Sequence, residues 1–250
     1  MKNAREFQIE FERRLTIINP DFELKEKLTS DTIFSFLNAY VERFVRTNYL
    51  QEDQVGDNTR AQKKNADALK GLIVRTTLTD KIVEELNSDQ STDKFALPID
   101  YFLYIRSNSH VSSTYKGEVV HPESGTSEYL NITANKTISE DDVEKIISTY
   151  YNRVILRNPY VVLNAGQATD ESDNVYLNVI HDTYTTIDKV DLVYYRKPKK
   201  FNVIGVDGVN VIDHCELPEN VHMEIVEGAV ETFITEYKYR LNRNSSNEQR

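Results

Sequence analysis

Apolar residues return every four positions through the first stretch of the chain. In "REFQIEFERRLTII" Phe7, Phe11 and Leu15 fall on one face of a helix, and Asn19-Pro20 ends the run. "TSDTIFSFLNAYVERFVRTNYL" opens with the capping candidates Thr29, Ser30 and Asp31, then sets Ile33, Leu37, Tyr40, Val41 and Phe44 in a stripe. After the polar break "EDQVGDN" a third helix is predicted from about Thr59, with Ala66, Leu69 and Ile73 on its buried side. "VRTTLTDKIVEEL" fits either state: its Thr and Val favour a strand, while "DKIVEEL" favours a helix.

Beyond the polar "NSDQSTDK" the period shortens. "FALPIDYFLYIRS" reads as a strand with one helical turn, and the stretch from His110 to Asn135 as a hairpin or two paired strands around Gly117, Pro122 and Gly125. "SEDDVEKIISTYYNRV" is predicted helical. Ser139 caps it, Asp141 and Asp142 sit in the first turn where the helix dipole favours anions, and Val143, Ile146, Ile147 and Tyr150 form its buried side. Four β segments follow: "VILRNPYVVLN", "NVYLNVIHDTY", "KVDLVYYRKP" and "KFNVIGVDGVNVID". Last comes a long amphipathic helix, opened by Pro218 and Glu219. Val221, Ile225, Ala229, Phe233, Tyr237 and Leu241 recur every four residues, with Val226, Val230 and Ile234 beside them.

These patterns define an α+β chain: an N-terminal helical bundle, a central mostly antiparallel β region and a long C-terminal helix. The expected divisions are a helical region at 1–92, a β-rich region at 93–215 with an inserted helix near 139–151, the C-terminal helix at 216–243 and a flexible tail at 244–250. A sandwich and a partial barrel both fit the β region.

Composition changes the picture in two ways. Hydrophobic residues make up only 39% of the 250, below the globular average, so the core is thin and neighbouring subunits are expected to complete some of the apolar surface. Fifteen tyrosines supply rings with a polar tip, which suit interfaces. The net charge of −10 argues against a protein that grips the outside of DNA, since that requires Lys and Arg to neutralise phosphates. No apolar run resembles a signal peptide or a membrane span, which points to synthesis in the cytoplasm.

Candidate chemistry is sparse. One cysteine excludes an internal disulfide and an all-cysteine zinc site. Cys215 lies beside His214 with His222 further on, but zinc sites use close Cys/His pairs twice. A buried small hydrophobe is the expected role for Cys215, and a surface or interface position for His222. "DESDNVYLNVIH" alternates Asp170, Ser172 and Asn174 as a calcium loop does. Val175 replaces its glycine and His181 its terminal glutamate, so a solvated loop is expected. Phosphate loops, dinucleotide fingerprints, HExxH and the GxSxG elbow are all missing from the sequence. No catalytic, cofactor-binding or metal-binding residue is therefore predicted, and the chain is not expected to be an enzyme. The basic run "YYRKPKKF" places Tyr194, Tyr195, Arg196, Lys197, Lys199 and Lys200 together. It reads either as an edge strand guarded by Lys and Pro or as a contact for an acidic partner, with nucleic acid the remaining choice.

Four segments in order carry a resemblance. "REFQIEFERRLTIINP…KLTSDTIFSFLNAYVERFV", "LPIDYFLYIRS", "LVYYRKPKKF" and "CELPENVHMEIVEGAVETFI" together resemble the head-to-tail connector proteins of tailed bacteriophages. The nearest likeness is to the ring proteins of crAss-like phages, which infect Bacteroides; adaptor proteins of short-tailed phages share the order more loosely. The resemblance spans almost the whole chain and rests on architectural motifs. It implies a structural virion protein, made in the host bacterial cytoplasm, that forms a ring of twelve copies beneath the portal protein. Such a ring contacts other ring or tail proteins and lets double-stranded DNA pass through its lumen during ejection without sequence-specific binding. A monomeric binding or regulatory protein, or an enzyme of unknown class, are the alternatives.

Overall fold

The computed structural model describes residues 3–18, 20, 28–54, 67–87, 90–113, 131–148, 159–165, 175–182, 185–203 and 212–247. The chain is α+β and divides into two compact units. One is built from both ends of the chain, Met1–Ile73 with Lys197–Arg250; the other is the central stretch Val74–Arg196.

The first unit is helical. Helix α1 (Ala4–Ile18) starts at a reciprocal capping box: the Asn3 side chain accepts from the Glu6 N–H at 2.9 Å, and the Glu6 carboxylate accepts from the Asn3 N–H at 3.0 Å. Its predicted stripe of Phe7, Phe11 and Leu15 is buried. Helix α2 (Ser30–Gln54) begins after Thr29, whose hydroxyl accepts from the Thr32 N–H. Ile33, Leu37, Val41 and Phe44 are buried along it, as their spacing predicts, and Tyr40 is half-buried. The C-terminal helix, α4 (Glu219–Asn247), packs against both α1 and α2. Val221, Ile225, Ala229 and Phe233 are buried, with Val226 and Val230 alongside. Aromatic rings join the three helices: Phe233 meets Phe11 at 6.1 Å and Phe36 at 5.2 Å. Arg14 of α1 pairs with Glu227 of α4 at 2.9 Å. Gly228 lets α4 sit close to α2, because a Cβ there would lie 1.9 Å from Cζ of Tyr40.

The second unit is a sandwich, so the choice between sandwich and partial barrel is resolved. β1 (Ile73–Leu78), β9 (Thr185–Arg196), β4 (Tyr101–Ser113) and β5 (Asn131–Ala134) form a four-stranded sheet in that order. β2 (Lys81–Asn87), β3 (Gln90–Ala96), β8 (Val175–Asp182), β7 (Tyr160–Ala165) and β6 (Lys136–Thr137) form a five-stranded one. All the pairings recorded are antiparallel except β6 with β7. Leu78, Tyr104, Val190 and Leu192 of the first sheet share one buried cluster with Phe95, Val161, Leu177 and Val179 of the second. Helix α3 (Glu140–Ser148) covers the outer face of the five-stranded sheet, where Val143, Ile138 and Tyr160 pack on Val162 and Ile180.

Several expectations need correction. Strands begin at Ile73, so β1, β2 and the first three residues of β3 lie in the 1–92 stretch expected to be helical. The ambiguous "VRTTLTDKIVEEL" is two strands, and Ile73 opens the first of them, 38% exposed, rather than facing a helical core. The polar "NSDQSTDK" contains most of β3, an inner strand of its sheet. The "LPIDYFLYIRS" segment makes a turn and then enters a 13-residue strand, so the helical turn expected within it is absent. Of "KFNVIGVDGVNVID", Phe201 and Ile212 form an isolated bridge and 204–211 lie outside the described residues. The C-terminal helix continues to Asn247, past the start expected for a tail at 244. The side chains of Ile146, Ile147 and Leu241, residues Tyr150 and 166–174, and most of the expected third helix also lie outside the description. Among the described residues no helix is long and apolar enough to cross a membrane.

Candidate functional site

The basic run divides between burial and exposure. β9 is an inner strand, between β1 and β4, which removes the edge-strand reading. Tyr194 is 2% exposed and Tyr195 3%, so neither ring is offered to a partner and both leave the set of interface candidates. The Tyr194 hydroxyl donates to Oδ1 of Asp100 at 2.7 Å, and its ring lies 5.7 Å from Tyr101. Burial, then the Asp100 carboxylate, push its phenol well above the ordinary value, so it stays a donor at any physiological pH. Arg196, half-buried, ends the strand.

The lysines follow on a pinned backbone. The Lys199 N–H donates to Glu216 at 3.0 Å, and the Lys200 carbonyl accepts from the Ile212 N–H at 3.1 Å. Next to them, Phe201 exchanges hydrogen bonds with the Asn38 amide, at 3.0 and 3.1 Å. Lys197 pairs with Glu42 at 3.5 Å. Lys199 and Lys200 are exposed, and among the described residues neither makes an ion pair. The run thus holds two solvated cations on a loop whose backbone is tied down by hydrogen bonds.

Cys215 is a free thiol, 1% exposed. Burial pushes it up to about 11, against a weaker opposing hydrogen bond at Leu217. Little thiolate exists near neutrality, so the group is chemically quiet. His222 is fully buried, not at the surface as expected: its Nε2 hydrogen bonds to the Leu217 carbonyl at 2.7 Å and its ring packs 4.9 Å from Phe7. A carbonyl can only accept, which assigns the proton to Nε2. His214 is exposed. A thiol reagent at pH 7.5 is expected to leave Cys215 unlabelled in the folded protein and to label it fully in urea; rapid labelling without denaturant would contradict this environment.

One charged cluster was not legible beforehand. Inside the sandwich, Asp93 of β3 is 1% exposed. Its Oδ2 accepts from Lys81 of β2 at 2.8 Å and lies 3.5 Å from Nε2 of His181 on β8. Lys81 also donates to the Ile187 carbonyl on β9 and so clips one sheet to the other. Burial acts to raise the Asp93 carboxyl, but the neighbouring His181 and Lys81 outweigh it and hold it below its ordinary value. On the outer face of the other sheet, Asp191 is similarly held down. Burial opposes this, and hydrogen bonds from His110 at 2.6 Å and Thr77 at 2.7 Å prevail. Among the described residues no group of three or more His, Cys, Asp or Glu is arranged to hold a metal ion.

The fold and these sites define the class: an α+β protein with a helical unit assembled from both chain ends and a β-sandwich built from the central stretch of the sequence. No family model matches the sequence, and no curated protein matches it.

Proposed function

We propose that the chain is a structural virion subunit, copies of which close into a ring in the connector between portal and tail, dock tail components to the head and surround the DNA channel. The observation that supports this best is how the resembling segments are used. Asp100 of "LPIDYFLYIRS" is hydrogen-bonded to Tyr194 of "LVYYRKPKKF". Phe201 of that same segment packs on Phe7 and Phe34 of the opening segments, and His222 of the C-terminal segment packs on Phe7. The four segments are therefore framework, tied to one another within each unit. A resemblance carried by framework residues argues for a shared architecture and a shared structural task.

Two surface features fit an assembly subunit. Ile9, Ile17 and Ile18 stand 55–66% exposed on α1, apolar area that a neighbour would cover. The net charge of −10 on each copy would repel DNA phosphates from a lumen wall and let a genome slide. Portal protein and other ring or tail proteins are the partners of this reading, with Arg196, Lys197, Lys199 and Lys200 as the cationic contact. Reversing the charge of Lys199 and Lys200 is expected to weaken docking to a neighbouring ring without unfolding the protein, because both side chains are solvated. Electron microscopy and native mass of the variant beside the unaltered chain check this; unchanged incorporation into virions removes the basic run from the contact.

A further inference from the structure

The outer face of the four-stranded sheet carries two arginines, Arg75 and Arg106. Val74, Leu78, Tyr104 and Leu192 belong to the sandwich core. Strand alternation then turns Arg75 and Thr77 of β1 outward. Register pairs Arg106 with Val193 and Asn108 with Asp191, so these four face outward as well. Together they line a shallow groove of about 490 Å³. Its strands β1 and β4 flank β9, roughly 10 Å apart at two strand spacings, near enough for both guanidinium groups to grip one acidic segment. Arg75 and Arg106 are exposed, and among the described residues neither makes an ion pair. Asp191, the carboxylate that lines this groove, is already engaged by His110 and Thr77.

The opposite outer face of the same sandwich is covered by α3 and is acidic. Its first turn holds Glu140, Asp141 and Asp142, with Glu144 following. Asp142 is paired with Lys145. Glu140, Asp141 and Glu144 are exposed, and among the described residues they make no ion pair. One sandwich thus presents cations on one face and carboxylates on the other. Two different, complementary patches on one chain make a heterologous contact, which closes into a ring when the rotation permits.

We infer that the Arg75–Arg106 groove of one copy receives the acidic first turn of α3 from a second copy. The inference rests on the ring reading above and names the sandwich-to-sandwich part of its subunit contact. Charge complementarity within the one sequence selects a second copy as the occupant. A polyphosphate would meet the same two arginines, but against the field of a chain whose net charge is −10. Forked arginine–carboxylate bonds supply geometry as well as attraction, so the contact sets the register between copies.

Paired cysteines test it and leave both arginines in place. A tagged copy carrying Asn108→Cys is mixed with an untagged copy carrying Glu144→Cys and treated with a short bis-maleimide. The native Cys215 is buried and serves as the folding control, since it stays unlabelled in folded copies. The expected result is a mixed cross-linked pair, several-fold above a mixture in which the second cysteine replaces Ile132 on the groove's own sheet. Adding Arg75→Glu and Arg106→Glu to the tagged copy should bring the yield down to that control. Adding Glu140→Lys and Asp141→Lys to the other copy should restore it. A yield no higher than the control, or one indifferent to the charge reversals, overturns the contact. So does protection of Asn108→Cys by duplex DNA in place of pairing, which would assign the groove to nucleic acid. Native mass separates this from the ring reading. Rings without the mixed cross-link overturn the contact alone, and cross-linked pairs that never close overturn the ring while upholding the contact.

Discussion

Replacing Asp93 by Ala is expected to destabilise the sandwich by about 3 kcal/mol or more, the cost of breaking a buried ion pair by removing one partner. The carboxylate is 1% exposed and holds Lys81 at 2.8 Å. Its loss leaves the Lys81 ammonium with the Ile187 carbonyl and removes the negative charge beside His181. The pH dependence has a definite sign. The folded carboxyl titrates below its unfolded value, so its contribution is fully present above the unfolded value of about 3.9 and is lost as pH falls through the lower, folded one. Urea titrations of the unaltered chain and of Asp93→Asn should differ most between pH 5 and 7, and the gap should narrow below about pH 4. A gap constant down to pH 3, or none at neutrality, would contradict the cluster.

Replacing Phe233 by Ala is expected to cost about 3–5 kcal/mol, the range for emptying a buried aromatic site. The ring is 8% exposed and stands among Phe11, Phe36 and Tyr237. These neighbours come from α1, α2 and α4, so the cavity opens where all three helices meet. Denaturant titration measures it. A loss under about half a kcal/mol, the scale of a surface substitution, would mean that Phe233 is not in the core.

The helices were largely legible because burial repeats with the helical period. Phe7, Phe11 and Leu15 on α1, and Val221 to Phe233 on α4, are buried as their spacing predicts. β7, β8 and β9 were legible from their β-branched and aromatic content. β3 was hidden for a physical reason. Gln90, Ser91, Thr92 and Asp93 are polar yet buried, and the cationic and imidazole groups that face Asp93 come from β2 and β8. Nothing in a local window of sequence announces such partners.

The site was less legible than the fold. The basic run drew attention as a block, but its tyrosines belong to the interior. Tyrosine serves core and interface equally well, and only register decides which way a ring turns. The Arg75–Arg106 groove is assembled from three strands far apart in sequence, so no single segment displays it. The acidic turn of α3 was visible, though its charges were expected to serve only the helix dipole. That it lies across the sandwich from the arginines follows from topology alone.

The central claim is that this chain closes into a ring. Native mass spectrometry of the purified protein, alone and with portal protein, measures that most directly. The result the proposal expects is a closed assembly, of about twelve copies as the resemblance to phage connector proteins implies; a heterologous contact closes into such a ring when the rotation permits. A monomer at every concentration, with portal protein present as well as absent, would contradict it.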